Sequence, residues 1–600
     1  MMKKFAKLFL LVVLALVMSM SVACRGGVTN DPNNPNNPGG GGTGITEEVD
    51  YSRTQLYVSN FNGGYGDEWL YKLKTRFEEF YKETIFEEGK KGIQVLIDNA
   101  KNNGAAIATQ IAGSRNEVFF SESVYYYDIV NPGLVADITD IVTSSLEDYG
   151  EEGTIEAKLN DQQKDYYGVK RNGDTKPKYY GLPHYSAFNG IMYDVDFFDE
   201  KGFYFVADPN LDANENKYNT WLDNGNNGIM VGKNDPTPKS NGPDGKPDTD
   251  DDGLPATYDE FFVLCQYMAD GGVTPVVWTG QHQKTYNDKT LQALAVDYEG
   301  PVQMMLNFNL SGTAENLVQS INGDGTVVKK APTPITAADG YKLYSSAGRY
   351  YALSFFERLV SNREFYHSNS YSTTASHLQA QKDFLWSRPM AAVNQQEPVA
   401  MLLEGIWWEN EAKDAFATAE TYGEQYGRYK RRIGFMPLPK ATKGEVGDGF
   451  TVMDTHYSLG FINANCEPLK LDIAKKFLKF AYTDQSLVEF TVTTNTPKAL
   501  NYEVPNEEKT KMSYFGRSVL DIKEKANIVY PYSNNPTYLN HQSELNFSEN
   551  FIAKVGTEEY NNAGSILRST VSNHLTAEQF FNGMINRMPQ SKWVSDFGPF

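Results

Sequence analysis

Six hundred residues are more than one hydrophobic core organises, so two or three domains are expected. A composition of 40% hydrophobic and 22% charged residues excludes a fibrous or wholly disordered chain. The net charge of −21, with no basic stripe of any length, argues against a nucleic-acid partner, because phosphate backbones are held by clustered Lys and Arg.

The chain begins with Lys3, Lys4 and Lys7, then an apolar run from Leu8 to Val17, then small residues ending "SVAC" at Cys24. This is an export signal over 1–23. Its ending resembles the lipobox of bacterial lipoproteins, which implies acylation of Cys24 and anchorage on the outer face of the cell membrane; Ser21 stands where leucine is usual, and a plain signal peptide cut nearby is the alternative. Residues 24–50, rich in Gly, Asn and Pro, cannot bury enough surface to fold and read as a tether. The remaining cysteines, Cys265 and Cys466, lie far apart in apolar surroundings and are expected to be free thiols. No other run reaches the ~20 apolar residues needed to span a bilayer.

Strands and helices alternate along the body. In "TQLYVSNFNGGYGDEWLYKLKTRFEEFYKET" a strand at Leu56 to Ser59 meets a glycine turn and then a helix from Asp67, with Trp69, Leu70, Leu73, Phe77 and Phe80 at helical spacing. "EVFFSES" is a short buried strand, and "KYYGLPHYSAFNGIMYDVDFFDEKGF" is a strand, a bend at Pro183 and a second strand at Gly190 to Tyr193. The alternation predicts an α/β architecture with ligand space at strand C-terminal ends. In "DTDDDGLPATYDEF", Asp248, Asp250 and Asp252 with Gly253 match positions 1, 3, 5 and 6 of an EF-hand-like calcium loop; Leu254 would offer a carbonyl at position 7, and Asp259 falls at position 12. A solvated acidic turn before a helix capped by Thr257 and Glu260 explains the same residues. "LLEGIWWENEA" sets two of the chain's seven tryptophans, Trp407 and Trp408, side by side; neighbours in an extended segment face opposite ways, so one indole is expected to face outward as a plate for a sugar ring and the other to pack inward.

Four stretches, "YYGLPHYSAFNGIMYDVDFFDEKGF" (179–203), "VAMLLEGIWWENEA" (399–412), "RIGFMPLPK" (432–440) and "DIAKKFLKFAYTDQSLVEFTVTTNTPKAL" (472–500), occur in an order that resembles the family 1 extracellular solute-binding proteins, the group similar to maltose-binding protein. The resemblance implies a two-lobed periplasmic-binding-protein-like fold with hinge strands and a ligand cleft between the lobes. Lobe one would comprise 51–176 plus 450–505 and lobe two 177–449 plus 506–600, with 205–250 and 300–395 as additions. It implies a monomeric binding subunit, not an enzyme, that captures a carbohydrate, probed first as oligosaccharides, and passes it to ABC permease subunits in the membrane. No cofactor is required, and a structural calcium ion would serve only to pin the acidic loop.

Carried over from the family's motifs, Trp407 resembles the sugar-stacking tryptophan and Trp408 is the second candidate. Tyr65 and Glu122 sit where lobe one's loops face the cleft; Tyr185, Phe188 and Asn189 would face it from lobe two, and Trp278, after an apolar strand, lines it or the core. No Walker loop, HExxH, GxSxG or CxxC is present. A carbohydrate-degrading enzyme, which needs only two carboxylates, and a glycan-binding adhesion or sensor protein remain as alternatives.

Overall fold

The computed structural model describes residues 45, 47–99, 107–170, 174–207, 230–394, 397–454, 457–568 and 574–600. The signal segment, Cys24 and nearly all of the tether therefore lie outside the described residues. Among those described, no helix is long and apolar enough to cross a membrane.

Strand β1 (Thr54–Asn60) runs into the glycine turn, and helix α1 (Glu68–Phe80) follows. Trp69, Leu70, Leu73 and Phe77 form its buried stripe, as their spacing predicts. Phe80 differs: the helix ends there, and its half-exposed ring lies against Tyr81 and Tyr149 at the rim. β2 (Ile93–Asp98) and β3 (Val118–Ser121) pair parallel with the two edges of β1. β4 (Gly181–Pro183) completes this first sheet through a strand that arrives much later in the chain.

The second sheet starts at β5 (Asn189–Asp194). Helix α2 (Tyr258–Asp270), β6 (Thr274–Val277), the long helix α3 (Gln283–Asn309), β7 (Val399–Gly405), the short helix α4 (Trp408–Glu411) and β8 (Ile433–Met436) follow. Strand order is β8-β5-β7-β6, with β7 antiparallel to β5 and parallel to β6. The chain then makes β9 (Thr451–Met453) and returns to the first sheet as β10 (Leu459–Ile462), between β3 and β4. After helix α5 (Asp484–Thr494) it crosses again to helix α6 (Tyr514–Lys525) and β11 (Asn527–Val529), which pairs parallel with β9.

The molecule is thus α/β and two-lobed, each lobe built on one mixed sheet. The first crossing lies between Pro183 and Asn189, several residues after the division expected at 176/177. Each lobe has its own apolar cluster, one around the first sheet and a larger one around the second. The described part of the added stretch 300–395 is no loose insertion: helix Ala347–Ser361 buries Tyr350, Leu353, Phe355, Phe356 and Leu359 in the second cluster. Cys265 is buried, Cys466 is half-buried, and both are free thiols.

The end of β5 is fixed by charge. Asp194, fully buried, accepts hydrogen bonds from Arg431 Nη2 at 2.6 Å and Arg388 Nη1 at 2.8 Å, and from the Phe197 N–H at 3.0 Å. Burial opposes its ionisation, but attraction to Arg431 and Arg388 outweighs it and holds the carboxyl below the usual range. Asp194→Ala should cost about 3–5 kcal/mol in denaturant unfolding, because it strands Arg431 in the interior. A lowered carboxylate pKa stabilises the fold above the ordinary carboxyl value and stops doing so as pH falls through the folded one. The difference between wild type and Asp194→Asn should therefore be full at neutral pH and shrink only below about pH 4.

Candidate functional site

Trp407 sits where the two lobes meet. A Cβ built on Gly64, in the turn after β1, would stand 2.6 Å from its Cδ1, and one built on Gly405, at the end of β7, 2.0 Å from its Cη2. One bare backbone from each lobe therefore grips the indole, in space that no other residue type would leave. Trp407 is only 6% exposed and packs in the first lobe's apolar cluster, although its chain position belongs to the second sheet. Trp408 is fully buried in a different cluster, against Phe384, Phe416 and Phe515.

The expected opposition of the two indoles is present, yet its cause is a helix start. Trp407 has φ −74° and ψ −16°, and α4 begins at the next residue. Nor does the Trp407 plate face solvent here, since the lobes lie closed on it.

Polar groups from both lobes surround the ring. From the first, the Tyr65 hydroxyl donates to the Ser186 carbonyl at 2.9 Å, and its ring centroid is 3.9 Å from that of Tyr185. The Tyr185 hydroxyl in turn donates to the Glu122 carboxylate. From the second, Asn410 Nδ2 donates to the Gly64 carbonyl at 3.0 Å, tying α4 to the glycine turn. Lys289, on α3, holds Nζ 5.1 Å from the Trp407 ring centroid. Burial pulls its amine below the usual value, against the attraction of Glu122, Glu404 and Glu549. Glu404 is pushed up to about 8 by burial and by the neighbouring charge of Glu411, so it is largely protonated at neutral pH. The Tyr286 hydroxyl is hydrogen-bonded to both Glu404 and Trp407.

The structure therefore brings Tyr65, Glu122, Tyr185 and Trp407 together. Asn189 joins them at depth, facing a void of about 10 Å³ that Lys289, Gln292, Thr451 and Met453 also line. Phe188 and Trp278 are corrections. Phe188 is buried edge-on against Phe435, and Trp278 is fully buried among Phe356, Tyr366 and Tyr371, so both serve the core. Phe188 immediately precedes β5 and Trp278 immediately follows β6, so each ring packs at the end of a buried strand.

The acidic loop finds its cations within the protein. Asp250 pairs with Lys525 at 3.1 Å and Asp259 with Arg358 at 2.7 Å, while Lys233 Nζ donates to the carbonyls of Asp250 and Asp252. Asp252 accepts from the Asp248 N–H, and the Leu254 N–H is turned to the Asp251 carbonyl. Thr257 caps α2 by accepting from the Glu260 N–H, as the capped-turn alternative requires. Among the described residues, no three His, Cys, Asp or Glu side chains gather to hold a metal ion. A larger cavity of about 580 Å³ lies between this loop and α6, bounded by Tyr193, Phe435, Phe450 and Tyr514, and shares no lining residue with the Trp407 site.

Glu404, Lys289, Gln292, Tyr286 and Asn410 escaped the reading from sequence. Only Glu404 carried a signal, as the one charge in the otherwise apolar strand Val399–Gly405. The others are brought in by α3 and α4 from positions with no distinguishing pattern.

No protein-family model matches the chain, and no curated protein matches it. Solved structures do. RafE in complex with raffinose is 14% identical, with 89% of this chain and 100% of that one covered at a TM-score of 0.49. A chitin oligosaccharide binding protein is 14% identical over 91% of this chain and 100% of its own, also at 0.49. The Thermus thermophilus maltotriose binding protein bound with maltotriose is 13% identical, at 89% and 100% coverage with a TM-score of 0.45.

Two outcomes test the geometry. Gly64→Ala should force the lobes apart, since the added methyl has no room beside an indole already seated on Gly405. Solution scattering should show a larger radius of gyration with an unchanged circular-dichroism spectrum; an unchanged radius would mean that the indole yields instead. Glu404 binds a proton in the folded state that the unfolded chain has released, so its contribution to stability should decline as pH rises from about 4 to about 8 and then level off. Glu404→Gln should flatten that slope in melts run across the interval.

Proposed function

We propose that this protein is a carbohydrate-binding protein that closes its two lobes on a sugar at Trp407. The observation that carries the reading is the indole held between Gly64 and Gly405, one glycine from each lobe, with Glu122, Lys289, Glu404 and Asn410 around it. An apolar plate ringed by hydrogen-bonding groups suits a sugar, whose C–H face stacks while its hydroxyls demand partners. The two sides of the site belong to different lobes, so a ligand touching both would favour the closed form through its extra contacts there. The four sequence motifs support membership of the family 1 solute-binding proteins. On that reading the ligand is passed to permease subunits of an ABC importer, and the "SVAC" ending supports a lipid anchor at Cys24 on the extracellular face of a bacterial membrane.

Tryptophan fluorescence titrated against a panel of oligosaccharides of two to six units tests the reading. Saturable binding is expected, and Trp407→Ala should weaken it by about tenfold to a hundredfold, or ~1–3 kcal/mol. Trp408→Ala should instead cost ~3–5 kcal/mol of folding stability and leave the affinity of the folded protein nearly intact. Absence of saturable binding across the panel would overturn the proposal.

A further inference from the structure

We infer that Asn189, Gln292 and Thr451 form a polar floor behind Trp407 that reads the hydroxyls of a neutral sugar, an inference that rests on the carbohydrate reading above. Gln292 is 2% exposed, and neither end of its side-chain amide has a hydrogen-bond partner among the described residues. Asn189 Oδ1 and Thr451 Oγ1 are buried and unpartnered in the same sense. Buried polar atoms are almost always paired, because leaving one unmade costs stability. Four such atoms around one void are therefore an unusual concentration.

The three residues come from separate elements, α3, the start of β5 and the start of β9, and converge on the void of about 10 Å³, which has room for at most one water. The void belongs to the Trp407 site. Asn189 is the register partner of Gly405, on which the indole lies, and Lys289 both lines the void and stands over the ring.

The donor and acceptor pattern sets the ligand's chemistry. Asn189 Oδ1 and Gln292 Oε1 only accept, Gln292 Nε2 and the Lys289 amine only donate, and Thr451 does both. A hydroxyl, which donates and accepts, answers every one of them. A carboxylate cannot donate to the two amide oxygens and would face Glu122 besides; an ammonium cannot accept from Gln292 or Lys289. The floor thus selects neutral sugars over uronic acids and amines.

Isothermal titration of wild type and Gln292→Leu with maltotriose, raffinose, chitotriose and trigalacturonate tests this. At least one neutral sugar should bind and trigalacturonate should not, and Gln292→Leu should weaken that sugar at least tenfold. The melting temperature of the ligand-free protein should hold or rise, since an unpaired amide gives way to an apolar group. Should Gln292→Leu fail to fold, the nearly isosteric Thr451→Val carries the same expectation. Affinity kept within twofold in the variant would leave the void as a water site only and overturn the floor while the carbohydrate reading stands, and so would a preference for trigalacturonate. Failure of wild type to bind any of the four would instead overturn the carbohydrate reading, and the floor with it.

Discussion

Three segments of chain must pass from one sheet to the other, and the structure depends on their bonding to each other there. A strand that leaves its sheet gives up its ladder partners, and buried N–H and C=O groups do not stay unpaired. The His184 N–H donates to the Ser458 carbonyl, the Tyr185 N–H to Ser458 Oγ, and the Ser186 N–H to the Pro497 carbonyl, each at 3.0 Å. The crossings thereby form a short ladder that belongs to neither sheet. Beside it, Lys498 Nζ lies 2.5 Å from His184 Nδ1, within 5.0 Å of the Trp69 ring and 4.2 Å of the Phe490 ring. Burial lowers the proton affinity of both groups, the lysine's charge lowers that of His184 further, and ring faces lie against the amine.

The site is an extension of that junction. Tyr185 lies in the first crossing and carries its ring against Tyr65 and its hydroxyl to Glu122, so the first lobe's side of the site is fixed to the hinge itself. The second lobe's side hangs on the end of β7, where Gly405 and Trp407 follow the sheet directly. Rotation about the crossings would separate these two sides while leaving each lobe's sheet and core whole, because the apolar clusters are built lobe by lobe. Trp407 crosses that division, belonging by chain to one lobe and by packing to the other, and Tyr530 and Tyr532, just after β11, do the same.

Much of the fold was legible in sequence because it rests on local pattern. The helical stripe from Trp69 to Phe77 and the apolar runs of β3, β5 and β7 require only neighbours in the chain. The site was legible where a strand end or a motif marked it, as at Tyr65, Glu122, Tyr185 and Trp407. It was illegible where a helix surface supplied the group. Lys289 and Gln292 are polar residues on a long helix of mixed character, and only tertiary packing decides that this face turns toward Trp407. Aromatic residues failed for the opposite reason. Phe188 and Trp278 look like ring contacts for a ligand, but a ring after an apolar strand meets core as readily as cleft, and composition cannot tell which side is covered. The acidic loop's partners were not legible because they come from elsewhere in the chain: Lys233, Arg358 and Lys525 reach its carboxylates and carbonyls only in the fold.

What closure gains and what it leaves unpaid decide how the lobes respond to a ligand. Burying a large apolar side chain such as Trp407 favours closure by about 1.5–3 kcal/mol. Without a ligand the structure also leaves the Gln292 amide and Asn189 Oδ1 unpaired in the interior, at about 1–3 kcal/mol for each such group, and keeps Glu404 and Lys289 away from water. These costs are of the same order as the gain from burying Trp407, so the empty site is not strongly held together by that contact alone. A ligand that supplies the missing hydrogen bonds acts only on the closed side of that balance, and differential contact of this kind is what shifts a two-state equilibrium. The polar atoms that make the empty site costly are then the ones that make the filled site selective.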